Sequence, residues 1–213
     1  EYLMLDDNML ESVPQEFELM TNLKYLYLAN NKFRAFPIPL TKLTKMTQLH
    51  IEQNMITYLP KEIGQLEKIQ LLNLSNNSIE EVPREIGNLL NLKSLSLMSN
   101  QLRTLPEEVS RLQNLKNLSL DVNNFTEIPL CITDLVNLKV LNLDHNQIAE
   151  VPPEIGKLRN LEELYLGSNN ISKIPDEISK LKNLKILWLE GNNFTEQEVK
   201  KLMLLLPNTE IDF

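Results

Sequence analysis

A chain of 213 residues with net charge −8 and an isoelectric point near 4.9 argues against binding to nucleic-acid phosphates, which call for clustered lysine and arginine. The same balance argues against an anionic membrane surface, and no apolar run reaches the ~18 residues needed to insert into a bilayer. A single cysteine, Cys131, excludes an internal disulfide and a multi-cysteine zinc site.

Asn8, Asn31, Asn54, Asn77, Asn100, Asn123, Asn146, Asn169 and Asn192 follow one another at intervals of 23 residues, without insertion or deletion. Before each stands the phrase L-x-x-L-x-L-x-x-N, clearest from Leu161 to Asn169. Alternation within L-x-L predicts a short strand with its leucines inward and the residues between them outward. A return of constant length makes successive strands parallel. Nine of them, at about 4.8 Å each, give a sheet of roughly 40 Å. Each Asn is expected to bond the backbone of its own and adjacent turns, where the chain bends inward and leaves amides unpaired.

The return arm is equally regular. Proline follows six places after the Asn, at Pro14, Pro37, Pro60, Pro83, Pro106, Pro129, Pro152 and Pro175. With φ fixed and no N–H, it suits the first position of a short helical turn. The next apolar pair, such as Ile63 and Leu66, is spaced for a single 3-10 or α turn, so the outer layer is expected to be thin. Glu16, Glu62, Glu85, Glu108, Glu154 and Glu177 form a column two places after proline. They read as carboxylates stabilised by the free amides of a first turn, with an acidic docking stripe as the alternative. Pro39 and Cys131 interrupt that column, which puts Cys131 on the outer surface with nothing nearby to activate its thiol.

After Asn192 the period breaks. Thr195 to Glu198 has the capping-box form that starts a helix, Val199, Leu202, Met203 and Leu206 supply its apolar face, and Pro207 ends it. Thr209 to Phe213 alternates, with Ile211 and Phe213 on one side, and is expected to add a last short strand. The chain thus divides into residues 1–194, about nine turns with the first incomplete, and residues 195–213, a cap. No matching cap precedes Tyr2, so the first edge is expected to be covered by a further segment or open to self-association.

If the leucines point inward, the opposite side of the sheet is where partners can be met. Small polar residues occupy its middle, and aromatic residues gather toward both ends. Tyr165, Ile186 and Trp188 form one candidate anchor, and Tyr25, Tyr27 and His50 a second, because exposed tyrosine and tryptophan on a rigid sheet are the residue types that anchor protein interfaces. The acidic neighbours Asp121, Asp144, Glu163 and Glu190 suggest a partner with basic character. Asp121 and Asp144 share a slot in adjacent turns and His145 follows, three groups that could hold a divalent ion weakly; the plainer reading is a solvated acidic ridge. Catalysis is not expected. His50 and His145 lie four turns apart, about 20 Å along the sheet, and there is no glycine-rich phosphate loop, nucleophile elbow or zinc motif. No cofactor is implied.

The consensus L-x-x-L-x-L-x-x-N-x-I-x-x-(I/L/V)-P-x-E-I-G-x-L-x-N resembles the 23-residue subclass of leucine-rich repeats. That resemblance implies an α/β solenoid, an open arc with a concave parallel sheet, a convex face of short 3-10 turns and a C-terminal helical cap. It also implies a non-catalytic module for protein–protein interaction. The near-invariant copies and the ending F-T-E-Q-E-V-K-K-L look most like bacterial members, particularly those of spirochaetes. In that group the resemblance implies export or surface display and binding to host or cell-envelope proteins. Similar repeats in Ras-pathway scaffolds imply a cytosolic adaptor, and a further alternative is a recognition arm of a larger signalling or effector protein. Met46 and Ile69 replace the first Leu of the phrase, and Lys45 and Lys68 the Asn that ends other repeats.

Overall fold

The computed structural model describes residues 1–213. Ten three-residue strands build one parallel sheet in chain order: β1 (Tyr2–Met4), β2 (Tyr25–Tyr27), β3 (Gln48–His50), β4 (Leu71–Asn73), β5 (Ser94–Ser96), β6 (Asn117–Ser119), β7 (Val140–Asn142), β8 (Glu163–Tyr165), β9 (Ile186–Trp188) and β10 (Glu210–Asp212). Register advances by one repeat per strand, so that Tyr25 lies opposite Gln48 and Leu26 opposite Leu49. The central leucine of a strand is lost from solvent while its two neighbours stay half-exposed, as at Leu49 between Gln48 and His50. Fifty-four buried apolar residues merge into one cluster along the whole stack. Each fully buried leucine contributes about 1.5–3 kcal/mol of burial free energy, and each turn obtains it only from its neighbours.

Each strand ends in a left-handed bend. The residue before the Asn has φ between 51° and 56° at Asp7, Asn30, Gln53, Asn76, Ser99, Val122, His145 and Ser168, and Gly191 takes φ 74° in the ninth repeat. That bend turns the Asn inward. Asn100 Nδ2 donates to the carbonyls of Leu74, Leu97 and Met98 at 3.0–3.1 Å, and its Oδ1 accepts from Ile79 N–H at 2.9 Å. The same four bonds recur at Asn54, Asn123 and Asn146, so the asparagines are scaffold, as their position suggested.

A second asparagine ladder runs along the opposite flank. Asn91, Asn114, Asn137, Asn160 and Asn183 each donate Nδ2 to a carbonyl of the preceding repeat at 2.8–2.9 Å. Lys45 has no carboxamide for this bond and reaches Asn22 Oδ1 instead, at 2.8 Å. The consensus recorded these asparagines; only stacking reveals their task.

The outer layer is eight five-residue 3-10 turns, from Gln15–Leu19 to Asp176–Lys180. Proline occupies the position before each turn rather than its first residue. Its carbonyl opens the turn by accepting the N–H three residues on, as Pro60 does from Ile63 at 3.0 Å. The acidic column behaves as expected at Glu85, whose own backbone amide holds its carboxyl below the ordinary range. Cys131 sits in the outer 3-10 turn Leu130–Asp134, but half-buried rather than open: it packs partly against the core, and burial pushes its thiol up to about 11.

The cap helix α1 runs from Glu196 to Leu205, and Thr195 accepts from Glu198 N–H. The reciprocal half of the capping box is missing, because the Glu198 carboxylate accepts from Ile174 N–H and Lys201 instead and so ties the cap to the segment leading into the last 3-10 turn. Leu202 and Leu206 are buried and Val199 is half-buried, but Met203 is 55% exposed: Leu205, not Met203, completes the packed face. Ile211 and Phe213 lean on the core from β10, with the Phe213 ring edge-on to Phe194 at 6.1 Å. No helix is long and apolar enough to cross a membrane.

Candidate binding surface: the concave sheet

The outward side chains of the strands, with the residue two places after each, form the concave surface. Parallel pairing in register sets equivalent positions side by side, so each column of the sequence becomes a line of neighbouring side chains. Trp188 is 38% exposed, and Tyr165 and Ile186 are half-buried at the surface of the sheet rather than in the core. The proposed anchor residues therefore do face outward.

They also come together. At one end the Tyr165 and Trp188 rings lie 6.5 Å apart at 34°, and Ile186 stands opposite Glu163 on the adjacent strand. Tyr165 donates its hydroxyl to Glu163 Oε2 at 2.9 Å, while burial and that carboxylate push its pKa upward. Asp144 accepts from Gly167 N–H at 2.6 Å; partial burial raises its carboxyl and the amide only partly offsets this. Glu190 remains exposed beyond Trp188. At the other end Tyr27 and His50 stack at 4.8 Å and 13°, and Tyr2 and Tyr25 at 4.2 Å and 4°. His50 Nδ1 lies 3.7 Å from Glu52 Oε1. Five strand steps, about 24 Å, separate β3 from β8.

Between the ends the small polar residues bond to one another. Ser75 Oγ donates to Asn73 Oδ1 at 2.7 Å and pairs with Ser96 Oγ at 2.6 Å; Ser119 donates to Asp121. These bonds also engage the two carboxylates of the candidate cation site. Asp121 is buried and engaged by Ser119, Asp144 is engaged by Gly167, and His145 sits exposed in its left-handed bend. Asp121, Asp144 and His145 do not gather into a group of three that could hold a metal ion.

Three members of the surface were not picked out from sequence. Gly167 is one: a Cβ there would stand 2.9 Å from Trp188 Cδ1 and 3.3 Å from Asp144 Oδ1, so its absence lets the indole settle over the backbone. The signal was present, since Gly167 is the one glycine in that column of nine repeats. Asp6 accepts from Ala29 N–H at 2.7 Å, repeating the Asp144–Gly167 bond. Glu52 is the third, with Oε2 buried and unpaired beside His50.

Comparison with known proteins agrees with this architecture. The leucine rich repeat model matches residues 1–56 and 136–194, and a leucine-rich repeat region model matches residues 58–140. No curated protein matches the chain by sequence. Among solved structures, a leucine-rich repeat protein of Leptospira interrogans is 37% identical at TM-score 0.83, covering 99% of this chain and 60% of that one. An internalin of Listeria monocytogenes is 26% identical at TM-score 0.88, covering 100% of this chain and 60% of its own. The Arabidopsis receptor kinase HAESA, solved in complex with the peptide hormone IDA and the co-receptor SERK1, is 27% identical at TM-score 0.78 over 90% of this chain and 34% of that one. This chain thus spans about three fifths of the two bacterial structures. By its repeat phrase, its register and these matches, the chain belongs to the leucine-rich repeat family and resembles the spirochaete members.

Proposed function

We propose that the concave sheet binds a protein or peptide of basic character. Tyr165, Ile186, Trp188 and Glu190 grip it at one end with Asp144 beside them, and Tyr25, Tyr27 and His50 meet it at the other. Leucine-rich repeats are protein-interaction modules, so the specific content of the proposal is the partner's charge and these anchors. The observation that carries it is compositional: the concave columns of the nine repeats contain no lysine or arginine, while Asp6, Glu52, Asp121, Asp144, Glu163 and Glu190 all lie in them. A cationic side chain laid beside the tilted Tyr165 and Trp188 rings gains both ring-face attraction and carboxylate pairing. The bacterial resemblance adds that the partner is a host or cell-envelope protein and the chain an exported one.

Trp188 is the sole tryptophan, so its emission reports this surface directly. Titration with lysine- and arginine-rich peptides is expected to shift that emission, and acidic peptides of equal length are not. In a surface-immobilised assay Trp188→Ala should weaken basic-peptide binding by about 2 kcal/mol with the fold intact. Equal binding by the variant, or indifference to peptide charge, would sink the proposal.

A further inference from the structure

The net charge of −8 is not spread evenly. Six residues lead from the end of each 3-10 turn to the strand that follows it, from 19–24 in the first repeat to 180–185 in the eighth. These eight segments hold thirteen of the chain's 21 lysines and arginines, but only Glu67, Asp134 and Glu162 of its 29 acidic residues. A flank of net +10 therefore runs along a chain of net −8.

Register concentrates this charge further. The residue just before the strand is lysine at Lys93, Lys116, Lys139 and Lys185, so these side chains start from backbone positions one strand spacing of about 4.8 Å apart, with Glu162 in the one intervening place. Glu162 is clamped between Lys139 and Lys185, each 2.5 Å from one of its oxygens, and those two cations hold its carboxyl down at about 2. Lys116, Lys139, Lys182 and Lys185 line one groove together with the flank asparagines, and Leu184 is its single apolar lining residue. Asn114, Asn137 and Asn160 each give one Nδ2 hydrogen to a backbone carbonyl, and their Oδ1 atoms, which accept no hydrogen bond within the chain, can accept from a hydroxyl.

We propose that this groove binds an anionic polysaccharide, a carboxylated or sulfated glycan chain lying across successive repeats. Lys116 and Lys182, which have no carboxylate partner, and Lys139 and Lys185, which share Glu162, pair with its acidic groups, and the carboxamide oxygens meet its hydroxyls. The near absence of apolar lining disfavours a protein partner, whose interfaces have aromatic or aliphatic centres. With no aromatic ring in the groove, single-stranded nucleic acid has nothing on which to stack its bases. This proposal is independent of the concave reading, and it limits what net charge excluded: the acidic balance describes the whole molecule, not this flank.

The test titrates a size-defined heparin oligosaccharide into the full chain by calorimetry over a salt series. Saturable binding is expected, with log affinity falling linearly in log salt. The triple variant Lys116→Gln, Lys139→Gln, Lys182→Gln, all three lining the groove, should weaken it by about tenfold or more and flatten the salt slope. Glu162→Gln releases two lysines and should tighten binding several-fold, a gain that a purely structural role for this carboxylate does not produce. Lys32→Gln, on the other flank, serves as the control for loss of charge alone, and thermal unfolding confirms that each variant is folded. Absence of binding at low salt, or equal affinity in wild type, triple variant and Glu162→Gln, overturns the proposal. So does binding to phosphatidylserine vesicles with none to the oligosaccharide, which would assign the flank to a membrane surface.

Discussion

The concave sheet and the lysine flank are built from the same repeats, a few residues apart in each, yet one excludes lysine and arginine and the other collects them. The physical origin of the contrast is the fixed period. A column of equivalent positions becomes a continuous surface once the strands pair in register, so each column carries its own charge whatever the others do. Two consequences follow for reading such a chain. Total charge is an average over surfaces that never meet one ligand together. A residue's neighbours are those one period away, not those beside it in sequence: Glu162 answers to Lys139 and Lys185, and Gly167 to Trp188 and Asp144.

If the two surfaces are independent columns on one scaffold, damage to the scaffold should affect neither selectively. Asn100→Ala removes one acceptor and three donor contacts inside the stack and is expected to cost about 1–3 kcal/mol by urea unfolding. Peptide and oligosaccharide affinities of the variant that remains folded should stay as they were. A selective loss of either would show that the columns are coupled through the interior.

A smaller change should separate them. Gly167→Ala pushes a methyl into the space held by Trp188 Cδ1, so the indole must move without being removed. Its fluorescence should shift and basic-peptide affinity fall by about 1 kcal/mol, while glycan binding stays unchanged. An unaltered spectrum would mean that Gly167 does not place the ring.

The smallest effect belongs to the strand-end bend that both surfaces share. Val122 is β-branched at φ 55°, where its side chain is strained, and it is exposed, so little packing is lost with it. Val122→Asn should raise stability by about 0.5–1 kcal/mol, read as a higher midpoint in thermal unfolding. No gain would place the strain elsewhere in the repeat.

The fold was legible because one rule repeats without interruption. The leucine phrase marked the strands, the constant return made them parallel, and proline marked the outer turns, even though it stands one residue before each turn rather than within it. The candidate anchors were legible for the same reason, since alternation about a buried leucine decides which side chains face out. What alternation cannot express is competition for those side chains once the repeats are stacked. Asp121 and Asp144 read as free carboxylates on a ridge, and become hydrogen-bond acceptors for Ser119 and Gly167. Met203 read as packed and is exposed; Cys131 read as exposed and is half-buried.

The sequence by itself determined period, strand direction, and the composition of every column, because these depend only on residue spacing and the inward pull on leucine. Tertiary structure alone decided which polar groups are already satisfied, which glycine makes room for the tryptophan, and which lysines share one carboxylate. Those outcomes are set at distances of a few ångströms between neighbouring turns, where backbone amides and side chains compete for the same partners.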